Sequence, residues 1–208
     1  MSDNPHENKK TVFEGTDINY AKSVMVLMHG RGATAESILT LTKEFNTPDY
    51  TYVAPQAFGN TWYPYSFFSP IENNEPALSS GLRVISELIK TIKNYGISEK
   101  EIILLGFSQG ACLVLEYAVR NAKHYKGVIG LSEGLIGDKI DKKRYSGTFD
   151  SCPVFLGCSD LDPHVPEERV NLTSEIMTEM GATVTKRIYK SMGHIINDDE
   201  LNFVRSIM

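Results

Sequence analysis

Cysteine is scarce in this sequence and offers no pairing scheme. Cys112, Cys152 and Cys158 are odd in number, and none falls in a CxxC spacing. That pattern argues against both a disulfide framework and a cysteine zinc site. Two of the three lie in apolar runs, so reduced, buried thiols are expected. Long apolar runs are missing as well: no segment approaches the roughly 20 consecutive apolar residues of a spanning helix. The opening MSDNPHENKKT is polar and has no apolar h-region, which makes the cytoplasm the expected compartment. Dense Lys/Arg blocks are also absent. With 21 basic against 26 acidic residues and a formal charge of −5, electrostatics gives no case for nucleic acid or an anionic membrane as partner. Neither internal repeats nor low-complexity tracts break the chain. A single domain over 1–208 is expected, with 1–10 as a flexible N-terminal tail.

What the sequence does contain is alternation of strand and helix patterns. Apolar runs suited to buried strands occur at Ser23–Met28, Thr51–Ala54, Ile102–Leu105, Gly127–Leu131, Pro153–Cys158 and Thr183–Tyr189, with a weaker one at Val12–Tyr20. Between them, Leu78, Leu82, Ile85, Ile89 and Ile92 recur at three- and four-residue steps, and Gly96 follows as a stop. Pro166 opens a second helix with Glu167 and Glu168 in its first turn and Gly181 past its end. Gln109 to Asn121 is apolar nearly all round and is expected to lie buried against a sheet. The alternation implies an α/β fold with one mainly parallel central sheet flanked by helices. One irregular stretch stands out, Pro55 to Pro76. A loop that long inside one domain is usually functional, and its aromatics either line a pocket or plug the loop onto the core. Trp62 and Tyr63 are the expected pocket walls.

Gly106-Phe107-Ser108-Gln109-Gly110 directly follows an apolar strand and directly precedes the buried helix. GxSxG is weak alone, but this strand–turn–helix context is what a nucleophile elbow needs, since side chains at 106 or 110 would crowd the turn. A serine hydroxyl needs a base. His194, in Ser191-Met192-Gly193-His194 after the last strand, is the candidate, while His6 and His124 read as surface residues. The imidazole needs an acid to hold its tautomer, and Asp160 and Asp162 both qualify by position. Asp162 is favoured because Asp162-Pro163-His164-Val165-Pro166 leads straight into the next helix, leaving Asp160 as a turn or cap residue. His164 lies in the same loop, facing solvent or substrate. Backbone donors for an oxyanion are expected from Gln109 and from Arg31, in the Gly-rich turn His29-Gly30-Arg31-Gly32-Ala33, with His29 bracing that turn.

In this order, HGRGAT at 29–34, APQA at 54–57, GFSQGA at 106–111, GLSEGL at 130–135, DPHVP at 162–166 and GH at 193–194 resemble the phospholipase/carboxylesterase family of α/β-hydrolases, which includes acyl-protein thioesterases. The resemblance spans about Ser23 to His194 and implies an α/β-hydrolase fold. It also implies Ser108, Asp162 and His194 as nucleophile, acid and base, with backbone donors at Arg31 and Gln109. Thioesterase members look like HGLGD in the first loop, where this chain has Arg31 and Ala33. The expected reaction is two-step hydrolysis of a small-molecule carboxylic ester or thioester, with no metal and no organic cofactor. No nucleic acid and no stable membrane association are expected, and monomer and homodimer both stay open. A catalytically silent binding protein on the same scaffold and a serine peptidase are the alternatives.

Overall fold

Buried parallel strands must be apolar on both faces, and five runs of this chain meet that demand, whereas Thr183–Tyr189, expected as a buried run, is a partly exposed edge strand carrying Lys186 and Arg187. A computed structural model describes residues 3–45 and 47–208. Its strands are β1 (Thr11–Gly15), β2 (Ser23–Met28), β3 (Tyr50–Pro55), β4 (Ile102–Phe107), β5 (Gly127–Leu131), β6 (Pro153–Ser159) and β7 (Thr183–Tyr189). They form one seven-stranded sheet in the order β1-β3-β2-β4-β5-β6-β7. All neighbours pair in parallel except β1, which runs antiparallel to β3 at one edge. Strand alternation divides the core into two layers. Val24, Val26, Leu104, Val128 and Leu156 point to one face, whereas Met25, Leu27, Ile103, Ile129 and Phe155 point to the other.

Helices α2 (Ala77–Asn94), α3 (Gln109–Arg120) and α4 (Glu167–Glu179) cover the first face. The expected stripe on α2 is the buried one, with Leu78, Ile85, Ile89 and Ile92 inside, each worth about 1.5–3 kcal/mol of transfer energy. Two further helices cover the second face. The short α1 (Ala35–Leu39) is capped by Thr34, and α5 (Asp198–Ile207) by a reciprocal Asn197–Glu200 capping box. The three thiols are free and buried. Among the described residues no helix is long and apolar enough to cross a membrane.

The N-terminal segment holds a correction. His6 is buried, not a surface residue: its Nε2 lies 2.9 Å from the Trp62 carbonyl, its Nδ1 accepts from the Phe58 N–H at 3.0 Å, and its own N–H reaches Ser80 Oγ. Burial holds its pKa below the usual value. Around it, residues 4–9 border a cavity with Phe58, Tyr63 and Pro76, where a flexible tail is expected from composition.

Strand order also fixes where the sheet opens. From β2 the chain steps outward to β3, then crosses back to place β4 on the other side of β2. The crevice above the C-terminal ends of β2 and β4 is therefore the topological switch point, where sheets of this kind leave room for a ligand.

Candidate active site

The loops after β2, β4, β6 and β7 converge on that crevice, because the parallel register brings those strand ends together. Ser108 sits in the turn between β4 and α3 at φ 54°, ψ −121°, a strained conformation for a residue with a side chain. Flanking glycines make the turn feasible. A Cβ at Gly106 would lie 2.5 Å from the Ala111 backbone, and one at Gly110 would lie 2.2 Å from the Met28 carbonyl oxygen. The Ser108 N–H donates to the Leu131 carbonyl, anchoring the elbow to the end of β5.

His194 arrives from the β7–α5 loop and places Nε2 2.8 Å from Ser108 Oγ. Its Nδ1 is 2.7 Å from Asp162 Oδ2, in the β6–α4 loop. The Asp162 side chain is fully buried, whereas that of His194 keeps 21% exposure. Burial pushes the Asp162 carboxyl up, but the His194 hydrogen bond and the His164 and Val165 N–H groups on Oδ1 together hold it below the ordinary range. Asp160, expected as a turn or cap residue, instead bridges two loops: its Oδ1 accepts the Ser191 N–H at 2.7 Å, pinning the loop that carries His194. Ser159 Oγ adds a bond from the Gly193 N–H.

Arg31 and Gln109 both line the cavity with Ser108. Neither backbone N–H donates a hydrogen bond among the described residues, so both are free to serve an incoming acceptor. His29 braces the first loop as expected, with Nδ1 on the Gly30 carbonyl and Nε2 accepting from the Ala57 N–H. Burial lowers its pKa, which suits an imidazole acting as acceptor.

The cavity is about 490 Å³ and runs from Gly30 and Ser108 to Tyr63, Phe67, Cys112 and Val165. Tyr63 lines it as expected. Trp62 does not: it is fully buried under the loop, its ring packs near α2, and its indole N–H donates to the His29 carbonyl. This corrects its expected place as a pocket wall, since the largest side chain of the loop serves as the plug. His164 borders the cavity with its ring 4.9 Å from that of His194. Sequence reasoning missed Ser132, which lines the cavity at φ 56° with a buried hydroxyl lacking a protein partner among the described residues. The GLSEGL stretch was its only signal. Among the described residues, no three His, Cys, Asp or Glu side chains converge as a metal-ligand set.

Comparison with known proteins bears on this geometry. The phospholipase/carboxylesterase family model matches residues 11–208. The chain belongs to the phospholipase/carboxylesterase family. Within it, a solved phospholipase/carboxylesterase from Dyadobacter fermentans is 41% identical, superposes with a TM-score of 0.93, and is covered over 95% of its length by 96% of this chain. Acyl-protein thioesterase 1 of Gibberella zeae is 31% identical over 123 residues, 58% of this chain and 52% of that protein. Acyl-protein thioesterase 1 of Saccharomyces cerevisiae is 28% identical over 144 residues, 68% and 62% of the two chains. The chain thus spans between half and two thirds of these two relatives, but nearly all of the Dyadobacter protein. The α/β-hydrolase fold expected from sequence is the fold observed.

Proposed function

We propose that this protein is a serine hydrolase of carboxylic esters that works through an acyl-enzyme on Ser108. The observation that carries the proposal is the unbroken line Asp162–His194–Ser108, with heavy-atom distances of 2.7 and 2.8 Å. Ionised Asp162 holds the proton on Nδ1, which leaves Nε2 as the lone-pair acceptor facing the Ser108 hydroxyl. His194 takes that proton as Oγ attacks the ester carbonyl. The oxyanion of the tetrahedral intermediate is received by the Arg31 and Gln109 N–H groups, at the N-terminus of α3, where the helix dipole favours negative charge. His194 then protonates the leaving alkoxide, and in the second half it activates water to release the acid.

A thiolate leaving group fits the same steps, and the two thioesterase relatives make a thioester series part of the test. Free thiols at Cys112, Cys152 and Cys158 fit a reducing compartment, so the cytoplasm is the proposed location. The decisive experiment pairs labelling by a fluorophosphonate with turnover of p-nitrophenyl esters and acyl thioesters of increasing chain length. Ser108→Ala is expected to abolish labelling and to lower kcat by on the order of 10⁴-fold or more while remaining folded. Near-normal turnover by that variant would overturn the proposal, and a wild-type protein that neither labels nor turns over would favour a silent binding protein.

A further inference from the structure

We infer that the Arg31 side chain is a positioning residue, a clasp that joins the oxyanion loop to the cavity wall; this rests on the ester-hydrolase reading above. The guanidinium donates to three consecutive backbone carbonyls. Nη1 reaches Pro64 O at 2.8 Å, and Nη2 reaches Tyr63 O at 3.0 Å and Tyr65 O at 2.6 Å. A planar fork sends its N–H donors from two separate nitrogens and spans such a set, whereas an ammonium must direct all three of its donors from one nitrogen. No carboxylate lies within ion-pair distance of Arg31 among the described residues, so these carbonyls are its partners.

Gln109 acts on the same segment from the inside. Its Oε1 accepts from the Trp62 N–H and the Thr61 hydroxyl, and its Nε2 donates to Tyr63 O at 2.8 Å. The two residues whose backbone N–H groups face the oxyanion position therefore grip one stretch, 61–65, and meet at the Tyr63 carbonyl. Arg31 has a share that Gln109 does not reach. Beyond Tyr63, the loop is also tied by the Tyr65 N–H to Asn74 Oδ1, by Asn74 Nδ2 to Ser66 O and by the Gly137 N–H to Phe67 O, so that Pro64 O and Tyr65 O are the carbonyls held by Arg31. Tyr63, Pro64, Tyr65, Ser66 and Phe67 all line the cavity, so the segment under the clasp is its wall. Holding that wall also holds Arg31 itself. Its side chain is anchored at the far end, and the Gly32 N–H is fixed on Asn60 O at 2.7 Å, which together restrict the Arg31 backbone that carries the oxyanion N–H.

The test compares Arg31→Leu, which keeps the backbone donor and an apolar stem, with Arg31→Lys, which keeps the charge. Amide hydrogen exchange over 60–68 and kcat and KM on p-nitrophenyl acetate, butyrate and octanoate are measured after active-site titration. In Arg31→Leu the 60–68 amides are expected to exchange at least about tenfold faster, the change that loss of one net charge-assisted hydrogen bond gives. Turnover per titrated site should fall, because the oxyanion donor acts in the transition state, and the chain-length ranking should change as the wall loosens. Arg31→Lys should fall between, and it alone carries the comparison if Arg31→Leu does not fold. Unchanged exchange in Arg31→Leu overturns the clasp. Full recovery of exchange and kcat by Arg31→Lys also overturns it, because charge alone would then suffice. The exchange arm needs no reaction, so turnover by Ser108→Ala would refute the ester-hydrolase reading and leave the clasp judged separately.

Discussion

Asp162→Asn is expected to cost on the order of 10⁴ in kcat, about 5.5 kcal/mol of barrier, with almost no change in fold. The reason lies in how the carboxylate is held. Oδ1 accepts the His164 and Val165 N–H groups at 2.8 and 3.1 Å, and Oδ2 faces His194 Nδ1 at 2.7 Å. An asparagine amide has one acceptor and one donor end. Its oxygen must stay with the two backbone N–H groups, since turning it round would set an NH₂ against both. The amide nitrogen is then forced onto His194 Nδ1, which must give up its proton to accept. Nε2 becomes the protonated nitrogen, pointing a donor at Ser108 Oγ where an acceptor is required. Asp160→Asn has no such consequence, because an asparagine oxygen still accepts the Ser191 N–H. Steady-state hydrolysis of p-nitrophenyl butyrate by both variants, normalised to folded protein by circular dichroism, separates them. A loss below about tenfold in Asp162→Asn, or a larger loss in Asp160→Asn, would refute the tautomer argument.

Glu200 is buried, its Oε1 lacks a partner among the described residues, and burial pushes its carboxyl up to about 7. Since the folded state then holds a proton that the unfolded chain releases near the ordinary carboxylate value, its contribution to stability is full below that value and is lost as pH rises toward 7. Glu200→Gln keeps an acceptor for the Asn197 N–H and should be more stable than wild type at pH 8, by about 3 kcal/mol, and so unfold at a higher temperature there, with little difference at pH 4. Equal thermal midpoints at pH 8 would contradict it. All three thiols are buried, and burial raises Cys112 and Cys152 to about 12, so Ellman's reagent should find no reactive thiol in native protein and three after unfolding. Rapid native labelling of any of them would show that the cavity floor at Cys112 or the sheet interior opens.

The inner strands were legible because a strand buried on both faces leaves a continuous apolar run, and β2 and β5 follow their runs residue for residue; the edge strand β7 matches its expected bounds although it is only partly buried. The site was legible where chemistry demands a residue type in a particular context: glycines around Ser108, a histidine after the last strand, an acid after β6. Short helices were not. Helix α1 is barely more than one turn, and α5, which opens on the Asn197–Glu200 cap, was not among the expected helices. Partnerships across long separations left no trace either. His6 sits among polar neighbours in sequence, yet its partners are 52 to 74 residues away. Trp62 as plug and Tyr63 as wall are adjacent aromatics that only the packed structure tells apart. The acceptors of Arg31 are backbone carbonyls, which every residue has, so no pattern marks them.

The strained elbow is built from local sequence and the ends of β4 and β5, but His194, its proposed base, is 86 residues downstream of Ser108 and 32 downstream of Asp162. During synthesis, Ser108 and Asp162 are therefore made before β7 and the His194 proposed as their base. Because β7 lies at the sheet edge and pairs only with β6, placing His194 beside Ser108 requires that edge to be in place. Esterase activity in a translation reaction should consequently appear only after His194 and the residues that follow β7 have been made, later than the synthesis of Ser108 and Asp162.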